Sequence, residues 1–323
     1  MNIRKIGVLT SGGDAPGMNA AIRAVVRCAI GRGFKVMGVK EGYRGLLNGY
    51  IEELTPRSVS ECMQRGGTML GTARCPEFAT PEGIEKGAEM CRKYEIDALV
   101  VIGGDGSFKG ARALSDAGIR TIGIPGTIDN DISCSEYTIG FDTALNTAME
   151  AVDKLRDTCT SHHRCSVIEV MGAHAGYIAI RTAIATGAEV VLIPEIPFDF
   201  DKDVLGAIKE GEANGKKHHI VIMAEGISMG VQEIAQRIRE ETQIDTRATV
   251  LGHIQRGGSP TNRDRVMAAN MGAKAVDLLC EGKTNRVVVL KDGIICDLDI
   301  TEGLNMKKTV DPELYQLVKT LSI

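Results

Sequence analysis

Ala98-Leu99-Val100-Val101-Ile102-Gly103-Gly104-Asp105-Gly106-Ser107, followed by Thr121-Ile122-Gly123-Ile124-Pro125-Gly126-Thr127-Ile128-Asp129-Asn130-Asp131, decides the fold of this 323-residue chain. Each stretch is a β-branched apolar run that ends in a turn containing glycine. Such a run reads as a buried strand passing into a turn whose backbone N–H groups can face an anion. Both turns also carry acidic residues, which supply phosphate chemistry with a magnesium ligand and a proton acceptor. Two such turns in one α/β frame place a ligand beyond the carboxyl ends of strands.

The same alternation extends in both directions. Ile6-Gly7-Val8-Leu9 is predicted as the first strand. Helical spacing follows through Met18, Ile22, Val25, Val26 and Ile30, stopped by Gly31 and Gly33. Further strands are predicted at 35–39, 98–102 and 121–124. Ala144, Leu145, Ala148, Met149, Val152 and Leu155 then form one helical stripe, and the rhythm restarts. Strands are predicted at 167–170, 190–193, 220–224 and 249–251, with helices at 232–242 and 264–279. The economical reading is two similar doubly wound, Rossmann-like α/β domains with mainly parallel sheets and a cleft between them.

Hydrophobic content of 43% and charged content of 25% fit an ordinary globular protein. A net charge of -4 argues against a nucleic-acid-binding surface. Nine cysteines without a CxxC pair suit reduced thiols better than a disulfide framework or a zinc site. The early apolar stretch, Ile6 to Leu9, is too short for a signal-peptide core, and no later segment approaches a membrane span. The expectation is a soluble, cytoplasmic protein with no nucleic-acid or membrane partner.

Thr10-Ser11-Gly12-Gly13-Asp14-Ala15-Pro16-Gly17-Met18-Asn19 joins the first strand to its helix. It lacks the Gly-Lys-Ser/Thr ending of a Walker A loop and is not the GxGxxG fingerprint. Alone it reads as a tight strand–helix turn, or as a backbone surface for phosphate. Asp105 reads either as the N-cap of a helix starting near Phe108 or as a magnesium contact beside Gly104 and Gly106. In an extended segment Asp129 and Asp131 share one side, as loop caps or with Asp129 as general base. Arg74 lies in a glycine-rich stretch, Arg164 just before a predicted strand, and Arg247 just ahead of another that leads into His253-Ile254-Gln255-Arg256-Gly257-Gly258. Each arginine taken singly reads as a surface charge, but their placement at strand ends suits bidentate grip on phosphate.

The stretch at 10–19, GGDGS at 103–107, PGTIDND at 125–131 and GHIQRGGSP at 252–260 together resemble bacterial ATP-dependent 6-phosphofructokinases, collinearly over essentially the whole chain. The resemblance implies phosphorylation of fructose 6-phosphate at its 1-hydroxyl by ATP, giving fructose 1,6-bisphosphate in glycolysis. It implies a homotetramer with the sugar phosphate at a subunit interface. It assigns residues 1–138 plus 252–302 to an ATP-binding domain, and 139–251 plus 303–323 to a sugar-phosphate domain. Asp129 matches the general base and Asp105 the Mg2+ ligand. Gly13, Arg74, Cys75, Gly104, Asp105, Gly106 and Ser107 match the ATP site. Thr127, Ile128, Asp129, Met171, Gly172, Ala173, Glu225, His253, Ile254, Gln255 and Arg256 match the sugar-phosphate site, with Arg164 and Arg247 reaching in from a neighbouring subunit. Arg23, Arg27, Arg156, Gly187, Ala188, Glu189, Lys216, Lys217 and His218 match an effector site for ADP or phosphoenolpyruvate.

Two positions depart from the family pattern. Ala173 stands where the family usually has arginine, and losing one charge-assisted contact costs about 1.5–3 kcal/mol, around ten- to a hundredfold in rate if felt in the transition state. Asn214 stands where the family usually has arginine or lysine, which weakens effector binding without abolishing it. The expectation is an active but altered enzyme. Ala173 also motivates two other readings, a non-catalytic sugar-phosphate or nucleotide sensor and a kinase of another sugar phosphate. A pyrophosphate donor is a further alternative, disfavoured because relatives using it carry aspartate at Gly106 and lysine at Gly126.

Overall fold

The computed structural model describes residues 3–322. Among them eleven strands run in chain order: β1 (Lys5–Thr10), β2 (Lys35–Val39), β3 (Ile51–Leu54), β4 (Ala98–Gly103), β5 (Arg120–Pro125), β6 (Cys165–Val170), β7 (Val190–Leu192), β8 (His219–Ala224), β9 (Thr246–Val250), β10 (Arg286–Lys291) and β11 (Ile294–Asp299). The chain divides into two compact units. The first comprises the chain up to Ile128 with residues 132–143 and 256–308; the second comprises residues 129–131, 144–255 and the chain from 309 onward.

The first unit is built on a seven-stranded sheet in the order β11-β10-β5-β4-β1-β2-β3. Its five central strands are parallel, and β3 and β11 run antiparallel at the two edges. Every residue of β4 is buried, which is why its sequence is a continuous apolar run with no alternation. The helix Met18–Gly31 buries Ile22, Val25, Val26 and Ala29 along one side, the spacing expected of it. A tight hairpin joins β10 to β11 through Asp292 and Gly293, both at positive φ, the Asp-Gly chemistry of a type I′ turn.

The second unit carries a four-stranded, wholly parallel sheet in the order β7-β8-β6-β9. Val167, Val221, Met223, Ile234 and Ile238 belong to its core. Two mainly parallel α/β units are therefore present, as the strand–helix rhythm predicts.

Several boundaries differ from expectation. The units exchange chain at 143, 255 and 308 rather than at 138, 251 and 302, and residues 129–131 group with the second unit. No linker composition marks these crossings, which fall at a helix start, in a short 3-10 turn and in the irregular segment between the last two helices. β9 begins at Thr246, not at 249, because its polar Thr-Arg opening is a half-exposed edge and not an apolar run. Arg247 therefore lies inside the strand it is expected to precede. Arg156 lies inside the helix Phe141–His162.

Asp264 holds one corner of the first unit together. It is fully buried. Its Oδ1 accepts the Gly140 N–H at 2.9 Å, and its Oδ2 accepts the Thr143 N–H at 2.9 Å and the Thr143 hydroxyl at 2.5 Å. Those bonds close the turn that launches the helix Phe141–His162. In Asp264→Ala two interior N–H groups lose their acceptor, each at about 1–3 kcal/mol. Urea denaturation should show a loss of about 3 kcal/mol, and a loss below about 1 kcal/mol would mean that the turn stands without this carboxylate.

Candidate active site

In the first unit β1, β4 and β5 lie side by side, so the turns after them meet at the carboxyl edge of the sheet. Ser11 N–H donates to the Ile102 carbonyl at 2.9 Å, and Gly126 N–H to the Gly103 carbonyl at 3.0 Å. The buried Ser107 hydroxyl donates to the Ser11 carbonyl at 3.0 Å. A methyl group at Gly103 would sit 2.3 Å from the Ser11 oxygen and 2.4 Å from Ser107 Oγ, so only glycine permits this approach. Tyr43, stacked on Phe78, supports the turn from below through a 2.6 Å bond to the Ser107 carbonyl.

Gly104 precedes the helix Asp105–Asp116. Asp105 is thus in the first turn of that helix and is not the cap of one starting near Phe108. Asp105 and Gly106 are exposed. A second helix, Met18–Gly31, starts beyond the 10–17 loop. Its buried Asn19 pins the 65–69 segment through bonds to the Arg65 and Gly66 carbonyls and the Met69 N–H. Thr72 ties the following residues to the first loop by donating to the Gly12 carbonyl at 2.7 Å. Arg74 is exposed and makes no ion pair among the described residues, while half-buried Cys75 packs on the core of the unit.

The GHIQRGG segment divides between the units. Arg256 belongs to the first, where Nη1 donates to the Asp14 carbonyl at 3.2 Å and a methyl group on Gly13 would lie 2.4 Å away. The motif groups Arg256 with the sugar-phosphate residues, but its guanidinium lies on the 12–14 loop. Gln255 belongs to the second unit and is fully buried, accepting from the Met171 N–H at 3.4 Å and donating to the Gly252 carbonyl at 3.1 Å. His253 and Ile254 are exposed.

Thr127 is half-buried, with its carbonyl accepting the Thr138 hydroxyl at 2.7 Å, and Ile128 is fully buried. Asp129 is buried and Asp131 exposed. Between them Asn130 has φ 53, a left-handed conformation. The segment is therefore bent and not extended, and the expected alternation does not put both carboxylates on one side. Burial, then the charges of Glu195 and Asp131, raise the Tyr177 pKa to about 12.

In the second unit the Met171-Gly172-Ala173 turn follows β6, and Glu225 follows neighbouring β8. Glu225 Oε1 accepts from the Gly172 N–H at 3.2 Å and the Ala173 N–H at 2.9 Å. Ala173 has φ 54, a strained position for a residue with a Cβ. Arg164 and Arg247 are brought together by Asp245, a residue that no motif reading singled out. Arg164 Nε lies 2.5 Å from Asp245 Oδ2, and Arg247 Nε lies 3.2 Å from Oδ1.

The residues matched to an effector site fall in both units. Arg23 and Arg27 lie on the first helix of the first unit, close enough to lower the Cys62 thiol against the larger upward push of burial. In the second unit Arg156 donates to the Thr186 carbonyl and lies 3.3 Å from His218 Nε2. Lys216 pairs with Glu189 at 3.4 Å and donates to the Ser322 carbonyl. Buried Glu189 also accepts from the Ile220 N–H at 2.7 Å. Gly187 caps the helix Tyr177–Thr186, Ala188 is buried and Lys217 is exposed.

Backbone cradles after parallel strands, joined in one chain to a carboxylate-held turn and paired arginines, define an α/β protein that handles phosphorylated ligands. The chain belongs to the phosphofructokinase family, whose signature matches residues 5–279. It is 54% identical to ATP-dependent 6-phosphofructokinase 1 of Clostridium perfringens over 320 residues, covering 99% of this chain and all of that one. Identity to the ATP-dependent 6-phosphofructokinase of Clostridium botulinum is 56% with the same coverage. The phosphofructokinase structure from Saccharomyces cerevisiae superposes with a TM-score of 0.87 at 35% identity, over 99% of this chain and 48% of the longer yeast chain.

His219 sets a pH response. It is buried at the start of β8 beside the Lys216–Glu189 pair, and its Nδ1 has no hydrogen-bond partner. Burial, opposed by Glu189 and Glu212, lowers its pKa, and burial likewise lowers that of His218. The unfolded chain therefore takes up these protons first, near an ordinary histidine pKa of about 6.5, so stability falls as pH drops below that value. Urea midpoints at pH 7.5 and 5.5 should differ less in His219→Gln than in the unmodified protein. An identical difference would exclude His219 as a source of the acid sensitivity.

Proposed function

We propose that this chain is an ATP-dependent 6-phosphofructokinase, transferring the γ-phosphoryl group of ATP to the 1-hydroxyl of fructose 6-phosphate to give fructose 1,6-bisphosphate and ADP. The observation that carries this reading is the glycine cradle at the carboxyl ends of β1, β4 and β5, in a chain matching ATP-dependent relatives end to end. Phosphoryl transfer asks a protein for in-line positioning and charge neutralisation more than for covalent chemistry. The backbone at 104–106 and the helix terminus behind it suit the phosphates of the nucleotide, with Gly13, Arg74 and Cys75 flanking them. Arg256, against Gly13, is a second cation near that loop. Asp129 is the proton acceptor for the 1-hydroxyl, and its burial limits competition from water.

Asp105 fits a Mg2+ contact. Its carboxylate is exposed, a methyl group on neighbouring Gly106 meets nothing within 4 Å, and oxygen donors suit this cation. No cluster of three or more His, Cys, Asp or Glu side chains forms a metal site among the described residues. Asp105, directly or through water, would share the ion with the phosphates of ATP. When bound, Mg2+ offsets charge on those phosphates.

The open ground at Gly106 also bears on the donor, since it leaves room for the α-phosphate region. A methyl group at Gly126 would lie 3.0 Å from Ile102 and 3.2 Å from Met18, so the lysine of pyrophosphate-using relatives would need both side chains to shift. Both positions favour ATP. In this reading the first unit binds the nucleotide and the second the sugar phosphate, through Met171, Gly172, Glu225 and His253. Arg164 and Arg247 reach a neighbouring subunit of a homotetramer. ADP or phosphoenolpyruvate regulates through the Arg156, Lys216 and His218 group with Arg23 and Arg27, more weakly than usual because Asn214 replaces a cation. Nine free cysteines suit the cytoplasm. No described helix is long and apolar enough to cross a membrane.

Two measurements test the reading. Asp129→Asn keeps the side-chain size but removes the base, so turnover should fall by roughly 10²–10⁴ with smaller changes in substrate binding. Near-native turnover would remove Asp129 from the role, and turnover by neither protein would favour a sensor. In a coupled assay ATP should far outperform pyrophosphate, and Gly106→Asp should weaken use of ATP. Comparable rates with pyrophosphate in the unmodified protein would overturn the donor argument.

A further inference from the structure

Asp245 has no role in the reaction above, yet strand register sets it between two arginines. β6 and β9 pair in parallel with Cys165 opposite Thr246 and Ser166 opposite Arg247. One residue earlier Arg164 lies across from Asp245, and the Cys165 N–H closes that rung on the Asp245 carbonyl at 3.1 Å. The Arg164 backbone is fixed as well, its carbonyl accepting the His219 N–H of β8 at 3.0 Å. Residues two apart in an extended strand share a face, which puts Asp245 and Arg247 on one side. The sheet thus delivers three charged side chains to one place.

The contacts leave donors to spare. Asp245 Oδ2 takes the Nε of Arg164 at 2.5 Å and lies 3.3 Å from Arg247 Nη2, while Oδ1 faces Arg247 Nε at 3.2 Å. The two Nη groups of Arg164 are not used by Asp245 and form a fork suited to a phosphate. Two guanidiniums this close repel each other, and each long side chain loses rotamer freedom when held. An intervening carboxylate offsets the repulsion and fixes both side chains before any ligand arrives. Two cations and one anion still leave a net positive charge. Burial pushes the Asp245 carboxyl up, but the Arg164 hydrogen bond and the charges of Arg247 and Arg164 outweigh it and hold the pKa below its ordinary value.

We propose that Asp245 is a positioning residue that holds Arg164 and Arg247 as a preformed pair for the phosphate of the acceptor sugar. The proposal rests on the reading of both arginines as sugar-phosphate ligands. Steady-state kinetics with ATP and fructose 6-phosphate on Asp245→Asn, Asp245→Glu, Arg164→Ala and Arg247→Ala test the two separately. Asp245→Asn should raise the KM for fructose 6-phosphate about tenfold, with kcat within about twofold and the KM for ATP unchanged. Asp245→Glu keeps the charge but shifts both guanidiniums, and should raise it about threefold with kcat retained. If Asp245→Asn does not fold, the Glu variant carries the test alone. An unchanged or lowered KM in the folded Asp245 variants, with Arg164→Ala and Arg247→Ala each raising it, overturns the role of Asp245 alone. An unchanged KM in both arginine variants overturns the assignment beneath it.

Discussion

The close approach of three strand ends is the constraint on which the proposed nucleotide site depends. The Ser107 hydroxyl reaches the Ser11 carbonyl across Gly103, and any Cβ at position 103 would occupy the path of that bond. With the contact made, the turns after β1 and β4 become one surface at the start of the helix that follows Gly104. The parallel sheet makes this possible. Adjacent strands running the same way end at the same edge, so their loops need no long excursion to meet. Tyr43 and Asn19, both buried, then hold the flanking segments by bonding to backbone, which keeps the surface shaped without a ligand.

A similar economy operates in the second unit, with side chains in place of backbone. Glu225 spans from the end of β8 to the turn after β6 and satisfies two successive N–H groups. Gln255 satisfies a third, the Met171 N–H. A turn containing left-handed Ala173 would otherwise leave these donors to water. The polar residues around the proposed acceptor site therefore serve the loop first, and whatever binds there meets a surface already organised.

Legibility in the sequence follows the range of the interactions. The runs at 98–107 and 121–131 are readable because strand, turn and helix start are consecutive and each is governed by local sterics. β10 and β11 were not anticipated, although Asp292-Gly293 between two β-branched runs carries the hairpin signal. β9 starts ahead of its predicted position because its Thr-Arg opening offers no apolar run. The value of Asp245 lies in register, which no spacing along the chain reveals apart from its i, i+2 relation to Arg247. Arg256 shares a motif with residues of the other unit, and contiguity in sequence does not report a crossing at Gln255. Asn130 broke the alternation expected of Asp129 and Asp131 because asparagine tolerates the left-handed region.

Four aspartates show how environment, more than residue type, divides the labour. Asp264 is buried with three donors on its oxygens, a carboxylate used wholly for architecture. Asp245 is part-exposed between two guanidiniums, and its ordering effect requires that it stay ionised. Asp105 is exposed on open ground in the first turn of a helix, where a hydrated divalent cation and a triphosphate can both approach it. Asp129 is buried on a bent segment, where low access to water favours accepting a proton from a bound hydroxyl over exchanging one with solvent. Exchanging the surroundings of Asp105 and Asp129 would defeat both proposed roles. A buried Asp105 could not share a hydrated ion, and an exposed Asp129 would leave the hydroxyl proton open to exchange with water. The placement of the two, one on a helix start and one just before a left-handed residue, is therefore as much a part of the proposed chemistry as the carboxylates themselves.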